Sequence, residues 1–144
     1  VRGKFHNTIV DGVARLIVPF IQIFALYVIT HGHYGPGGGF QGGVILAASM
    51  MLLRLALGEE EEHWHFSPTA AAAVAATGIL IYFGAGILPL VMGGEFLDYA
   101  RQPIPGLQGP ELRSLGILIV ETGVSMVVWG TLVILFDYLI GSEP

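Results

Sequence analysis

Apolar residues fall into four long, nearly uninterrupted runs, residues 12–31, 40–57, 69–92 and 115–140, separated by stretches that are polar, charged or rich in Gly and Pro. An α-helix rises 1.5 Å per residue, so about 20 apolar residues cover the roughly 30 Å of hydrocarbon in a bilayer. The pattern predicts an all-α integral membrane protein, a bundle of four transmembrane helices forming a single domain over residues 1–144. The first run is too long for a cleaved signal peptide, and glycines follow it instead of a small-x-small cleavage site, so a retained helix is expected. Between the third and fourth runs, Phe96, Leu97 and Ala100 share one helical face, which predicts a short helix over residues 95–101 lying in the membrane interface. Pro103, Pro105, Gly106, Gly109 and Pro110 then read as a stiff irregular linker.

Composition sharpens this picture. Only 12% of the residues are charged and 53% are hydrophobic, about half the charge that a soluble domain needs to cover its surface. The formal charge is −5, but four of the acids are the run Glu59 to Glu62, and without it the chain is close to neutral. With no basic stripe to neutralise phosphates, nucleic-acid binding is not expected. The absence of cysteine excludes disulfides, iron–sulfur clusters, thiolate zinc sites and cysteine nucleophiles. Arg2, Lys4, Arg15 and Arg54 fall on the side shared by the two termini, while Arg101 and Arg113 fall on the other. Because cytoplasmic flanks are enriched in Lys and Arg, both termini are expected in the cytoplasm and the turn after the first helix outside.

That turn is the densest motif in the chain. His31-Gly32-His33-Tyr34-Gly35-Pro36-Gly37-Gly38-Gly39-Phe40-Gln41-Gly42-Gly43 supplies backbone freedom and close approach through its glycines, and Pro36 stiffens it. No Lys-Ser or Lys-Thr follows the glycines and no strand precedes them, so phosphate binding is not expected. Gly39, Gly43 and Ala47 continue into the second helix as a small-x-x-x-small ridge on which another helix can pack.

The stretch Val13-Ala14-Arg15-Leu16-Ile17-Val18-Pro19-Phe20, then Phe24-Ala25-Leu26-Tyr27, and then the glycine motif from His31 to Gly43 closely resembles the MrpB/MnhB family, the B-type subunits of multisubunit Mrp (Mnh) cation/proton antiporters. Leu115-Gly116-Ile117-Leu118 and Glu121-Thr122-Gly123 are also similar to that family. The resemblance covers about residues 8–58 well and 112–140 moderately, and the run Glu59 to Phe66 falls outside it. It implies a four-helix subunit without a cofactor of its own, in an assembly of several different membrane subunits that exchanges Na⁺ for H⁺ across a prokaryotic cell membrane. Similar modules occur within membrane-bound hydrogenases and sulfur reductases, so hydrogenase or reductase modules are further partners that the resemblance allows.

Read for themselves, the ionisable residues within the spans single out Glu121. It lies six residues into the fourth run, about 9 Å along the helix, deeper than a Glu easily snorkels. An ionised carboxylate facing lipid there costs on the order of 3 kcal/mol, so the group is expected to face protein or water. Ser114 and Ser125 lie on the same face. The opposite face carries Gly116, Gly123 and Gly130 at intervals of seven, a groove for a closely packed neighbour. Two such small-residue ridges offer more packing surface than four helices need, which predicts partner subunits. Glu121 either titrates as part of an ion route or pairs with a structural Arg.

Asp11, Arg15 and Gln22 form a stripe on the first helix beside Pro19, whose missing amide frees the carbonyl of Arg15. The stripe either borders a water path, or consists of an Asp11 to Arg15 pair with Gln22 as interhelical glue. His31 and His33, next to the rigid turn, are candidates for proton handling or for structural hydrogen bonds. The pairs His31/His33 and His63/His65 each lack a clear third ligand, so no metal site is expected. Trp64 reads as an interface anchor, and Asp137 is expected to reach the headgroups. Three classes of function follow. A transport subunit would use Glu121 with His31, His33, Arg15, Gln22 or Ser125, and carboxylate, hydroxyl and freed carbonyl oxygens suit Na⁺. A structural subunit would dock larger ion-carrying partners through its glycines. An intramembrane enzyme is disfavoured, because no nucleophile and base can be assembled.

Overall fold

A computed structural model describes residues 8–34, 37–57 and 66–141, apart from the side chain of His33. Among the described residues, four helices are long and apolar enough to cross a membrane: α1 (Thr8–His31), α2 (Gly39–Leu57), α3 (Pro68–Val91) and α4 (Pro110–Gly141). The chain is a multi-pass membrane protein. Pro36, the acidic run Glu59 to Glu62, and His63, Trp64 and His65 lie outside the described residues, as do Arg2 and Lys4.

Local chemistry sets the helix ends. Ser67 caps α3, its hydroxyl accepting from the amide of Ala70 at 3.1 Å, and Pro68 occupies the first turn, where a missing amide costs nothing. Gly93, with φ of +81°, stops α3 in the left-handed conformation that glycine adopts without penalty. Helix α1 runs through Pro19 without interruption. Helix α4 begins five residues ahead of the apolar run, because Pro110-Glu111-Leu112-Arg113-Ser114 is polar yet helical, with Leu112 buried on the inner side. Measured from its true start, Glu121 is about 16 Å into the helix.

Helix α4 is the centre of the bundle. Helix α2 runs parallel to it: Gly39 meets Glu121, Gly43 meets Ser125 and Val128, and Arg54 pairs with Asp137. Helix α3 runs antiparallel, with Gly78 against Gly123 and with Ala71 and Ala75 against Gly130. Ala47, Ala71 and Val133 form the fully buried seam of these three helices. Helix α1 packs on the far side of α2 through Val18 against Leu53 and Leu57 and through Ile29 against Gly42. The glycine ridges are therefore not the spare packing surface that their spacing suggested. The groove of Gly116, Gly123 and Gly130 is filled from within the chain, by the ring of Tyr99 and by α3.

The segment after α3 also departs from the sequence reading. In place of an interfacial helix over residues 95–101 there is a 3-10 turn at Tyr99–Arg101, preceded by Leu97 at φ of +62°. The cause is packing. Phe96 lies in the notch left by Gly86 and against the edge of Tyr82, and Leu97 donates its amide to the carbonyl of Gly86 at 3.4 Å. The segment thus folds back down the bundle, and Gln102 donates to the carbonyl of Ala85 at 3.5 Å.

These pairings place the two hairpins at different heights. Gly32 and Gly38, on either side of the turn between α1 and α2, lie level with Glu121, whereas α3 and α4 continue for about 16 Å beyond it. Arg54, Asp137 and Arg15 mark one charged plane, and Glu111 and Arg113 mark the other. About 36 Å of α4 lies between the planes, and α3, 24 residues long, crosses the same band without a charged residue.

Candidate functional site

Glu121 sits where the glycine-rich turn closes onto α4. A Cβ on Gly32 would lie 2.9 and 3.0 Å from the two carboxylate oxygens of Glu121, and one on Gly38 would lie 3.0 Å from Oε1. A Cβ on Gly39 would collide with the carbonyl oxygen of Glu121. The turn is glycine-rich because backbone and carboxylate share a space that no side chain can enter. Gly37 and Gly38, at φ of +151° and +156°, hold a conformation that other residues adopt only with strain. Gly42 and Gly43 then let α2 meet α1 at Ile29 and α4 at Ser125, so the motif joins three helices within two turns.

Glu121 is half-buried, about 12 Å below the plane of Arg113 and about 24 Å above Asp137. Around it, α4 has committed its hydroxyl protons: Thr122 donates to the carbonyl of Leu118 and Ser125 to that of Thr122, each at 2.8 Å. Tyr99, in the turn after α3, fills with its ring the space beside Gly116. Burial, then Tyr82 and Glu121, raise its pKa above that of an ordinary tyrosine, so it is held as a neutral phenol, able to donate a hydrogen bond. A carboxylate is a hard oxygen ligand, chemically suited to a proton or an alkali cation.

The other candidates are scattered. His31 is exposed, stacked on Tyr27 with ring centroids 4.4 Å apart, and its Nδ1 lies 3.0 Å from the hydroxyl of Thr30 and 3.2 Å from the carbonyl of Tyr27, all on its own helix. Gln22 donates to the sulfur of Met50 at 3.8 Å, tying α1 to α2. Arg15 is exposed near the opposite plane, about 25 Å from Glu121 along the bundle. Ser125 is buried one turn from Glu121. The exposed Phe40 and Gln41 open the first turn of α2, and Phe40, Gln41 and Phe24 line a groove of about 370 Å³ between α1 and α2. Among the described residues no three His, Asp or Glu side chains converge as metal ligands.

Sequence reasoning missed the second polar cluster. Asp137 does not extend to the headgroups; it pairs with Arg54, whose Nη2 also donates to the carbonyl of Phe66 at 2.6 Å. Phe66 in turn stacks on Trp129, with centroids 5.0 Å apart and planes 7° from parallel. The available signal was an Arg and an Asp of opposite charge near the ends of two helices on the same side.

Residues 9–134 match the family model described as a domain related to the MnhB subunit of Na⁺/H⁺ antiporter. The chain is 31% identical to the B subunit of the Na(+)/H(+) antiporter of Bacillus subtilis (strain 168), over 90% of this chain and 94% of that protein. It is 30% identical to mnhB2 of Staphylococcus aureus (strain Newman) and 28% identical to mnhB2 of Staphylococcus haemolyticus, in each case over 97% of this chain and 99% of the relative.

Proposed function

The chain belongs to the MnhB family, and on that premise we propose that it is a membrane subunit of a multisubunit Na⁺/H⁺ antiport module in which Glu121 relays ions. The observation that carries this reading is the enclosure of the Glu121 carboxylate by Gly32 and Gly38 inside a band of about 36 Å where α4 offers no other charge. An acid at that depth is costly. It is tolerated where it alternates between partners: a proton in one state, and Na⁺ with carboxylate and carbonyl oxygens in the other. The subunit is a transporter component and not itself an enzyme, and its partners are the other subunits of an Mrp-type complex in a prokaryotic cell membrane. Arg2, Lys4, Arg15 and Arg54 on the side of the termini, against Arg101 and Arg113 on the other, support a cytoplasmic location for both ends.

The test is ion exchange by the assembled complex in sealed vesicles. Glu121→Gln keeps shape and hydrogen bonding but cannot titrate; Glu121→Asp titrates with a shorter reach. Exchange is abolished or strongly reduced in the first variant and partly kept in the second, with assembly intact in both. Unchanged exchange in both assembled variants refutes the relay and leaves a subunit that serves to hold the complex together. Purification from native membrane separates the settings: redox subunits in the preparation would place the module in a hydrogenase-like or reductase-like complex.

A further inference from the structure

We infer that the groove between α1 and α2 is the seat of a transmembrane helix from a different subunit, whose apolar side chains fill it and one of whose polar groups pairs with the amide of Gln41. The groove encloses about 370 Å³ and is lined by Phe24 and Val28 from α1 and by Phe40, Gln41, Val44 and Ile45 from α2. Gln41 alone among them is polar. Its depth follows from the register of α2. Gly39 meets Glu121 and Gly43 meets Ser125, so Gln41 lies level with Gly123 of α4, about 15 Å below the plane of Arg113 and about 21 Å above that of Asp137. That is close to the middle of the band between the charged planes.

The amide identifies the occupant. Gln41 is exposed, and among the described residues its side chain has no hydrogen-bond partner, whereas Gln22, on the other helix of the pair, donates to the sulfur of Met50. A primary amide carries an acceptor oxygen and an NH₂ donor; acyl chains answer neither, and an amide left unpaired in hydrocarbon is strongly disfavoured. Water does not resolve this, since a water held in a site needs about two to four polar partners and the groove lining offers Gln41 alone. A second copy of this chain fits no better. A two-fold contact is isologous and would set groove against groove, enlarging the void between them. A convex apolar helix with one hydroxyl, amide or carboxyl group at mid-span fills the volume and pairs the amide at once, the way in which polar side chains join helices in lipid. Phe24 and Phe40, 55% and 63% exposed, supply the aromatic anchors that interfaces favour. The inference rests on the multisubunit reading and not on the relay by Glu121.

The test is photochemical. The complex is purified with benzoylphenylalanine at position 24 or at position 40, irradiated, and its adducts are identified by mass spectrometry. The excited ketone inserts into C–H bonds of protein and lipid alike, so each occupant leaves its own product. Adducts from both positions to a hydrophobic span of the same other subunit are expected. Adducts to lipid alone or to a second copy of this chain, or no adduct at all, overturn the proposal. Gln41→Leu is the second arm. Because the amide bonds to nothing among the described residues, the fold of the subunit is kept, and retention of the cross-linked subunit in mild detergent falls by about three- to thirtyfold. Unchanged or increased retention shows that the amide has no partner and overturns the pairing. If the chain purifies without other subunits, the multisubunit reading fails and the docking site with it; if they co-purify while the adducts reach only lipid, that reading stands and the docking site falls.

Discussion

Replacing Gly39 with alanine adds one methyl group at the closest approach of two helices. Its Cβ would run into the carbonyl oxygen of Glu121, with the carbonyl carbon and Cα of the same residue each 2.8 Å away. All three are backbone atoms of the central helix, so no rotamer change relieves the collision; α2 must retreat by roughly an ångström, loosening contacts along its length. Overpacking of this kind costs about 1–3 kcal/mol, and the upper end applies where the obstacle is backbone. Against this, Gly to Ala within a helix recovers only about 0.5–1 kcal/mol of backbone entropy. A net loss of about 2 kcal/mol follows, a factor of about 30 in the folded population. Gly12 and Gly84 have nothing within 4 Å of a Cβ, so Gly12→Ala and Gly84→Ala keep the entropy gain without the clash. The assay is thermal dissociation of the purified complex, read as the fraction of this subunit still assembled. Gly39→Ala lowers the midpoint by about 5 °C, while the two controls hold or raise it. If Gly39→Ala matches the controls, the close approach of α2 to Glu121 is wrong.

Two further outcomes follow from the polar groups. Arg54→Met or Asp137→Leu alone strands a half-buried charge and lowers stability by about 3 kcal/mol, whereas the double substitution recovers most of that loss; additive losses, with the double variant losing the sum of the two single losses in the same dissociation assay, would show that the pair is not formed. Tyr99 is held neutral by burial, by Tyr82 and by Glu121, so above about pH 10 the folded state binds more protons than the unfolded one and stability falls as pH rises through that window. The contribution is fully present below pH of about 10. Tyr99→Phe therefore loses less stability than the parent between about pH 9 and pH 11, and identical losses would remove Tyr99 from the buried cluster.

The four spans were legible because hydropathy is a sum over about 20 residues and tolerates local exceptions. The ridge of Gly39, Gly43 and Ala47 was legible as a packing surface because its spacing is that of a helix face; what it packs on was not, since spacing names no partner. The same limit led the groove of Gly116, Gly123 and Gly130 to be read as surplus, when Tyr99 and α3 occupy it. Tyr99 was invisible as a neighbour of Glu121, because its segment reads as an amphipathic helix until the notch at Gly86 draws Phe96 inward. Asp137 was misplaced for a related reason: a carboxylate near a helix end has headgroups within reach, and only the register of α2 shows that Arg54 is nearer.

That register also decides which part of α4 the glycine turn meets. Suppose α2 slid one turn, about 5.4 Å, toward the start of α4, lifting the glycine turn toward the hairpin tip. Gly39 would then face Ile117, and Gly43 would face Glu121. Ala47 would face Ser125, so the small residues would still lie along α4 and packing alone would barely oppose the slide. Arg54, however, would face Val133, which is fully buried, and Asp137 would lose its cation. Stranding two charges in the spans costs several kcal/mol, more than the packing differences between neighbouring registers. The ion pair at one end of the bundle therefore fixes which residues of α4 Gly39 and Gly43 meet at the other. On this argument the double substitution of Arg54 and Asp137 restores stability but frees the register, so labelling of an added Tyr34→Cys, at an exposed position in this cysteine-free chain, by a membrane-impermeant thiol reagent becomes heterogeneous in rate. A single labelling rate, unchanged from that of Tyr34→Cys alone, would show that the turn is held by the glycine contacts with Glu121 and not by the distant pair.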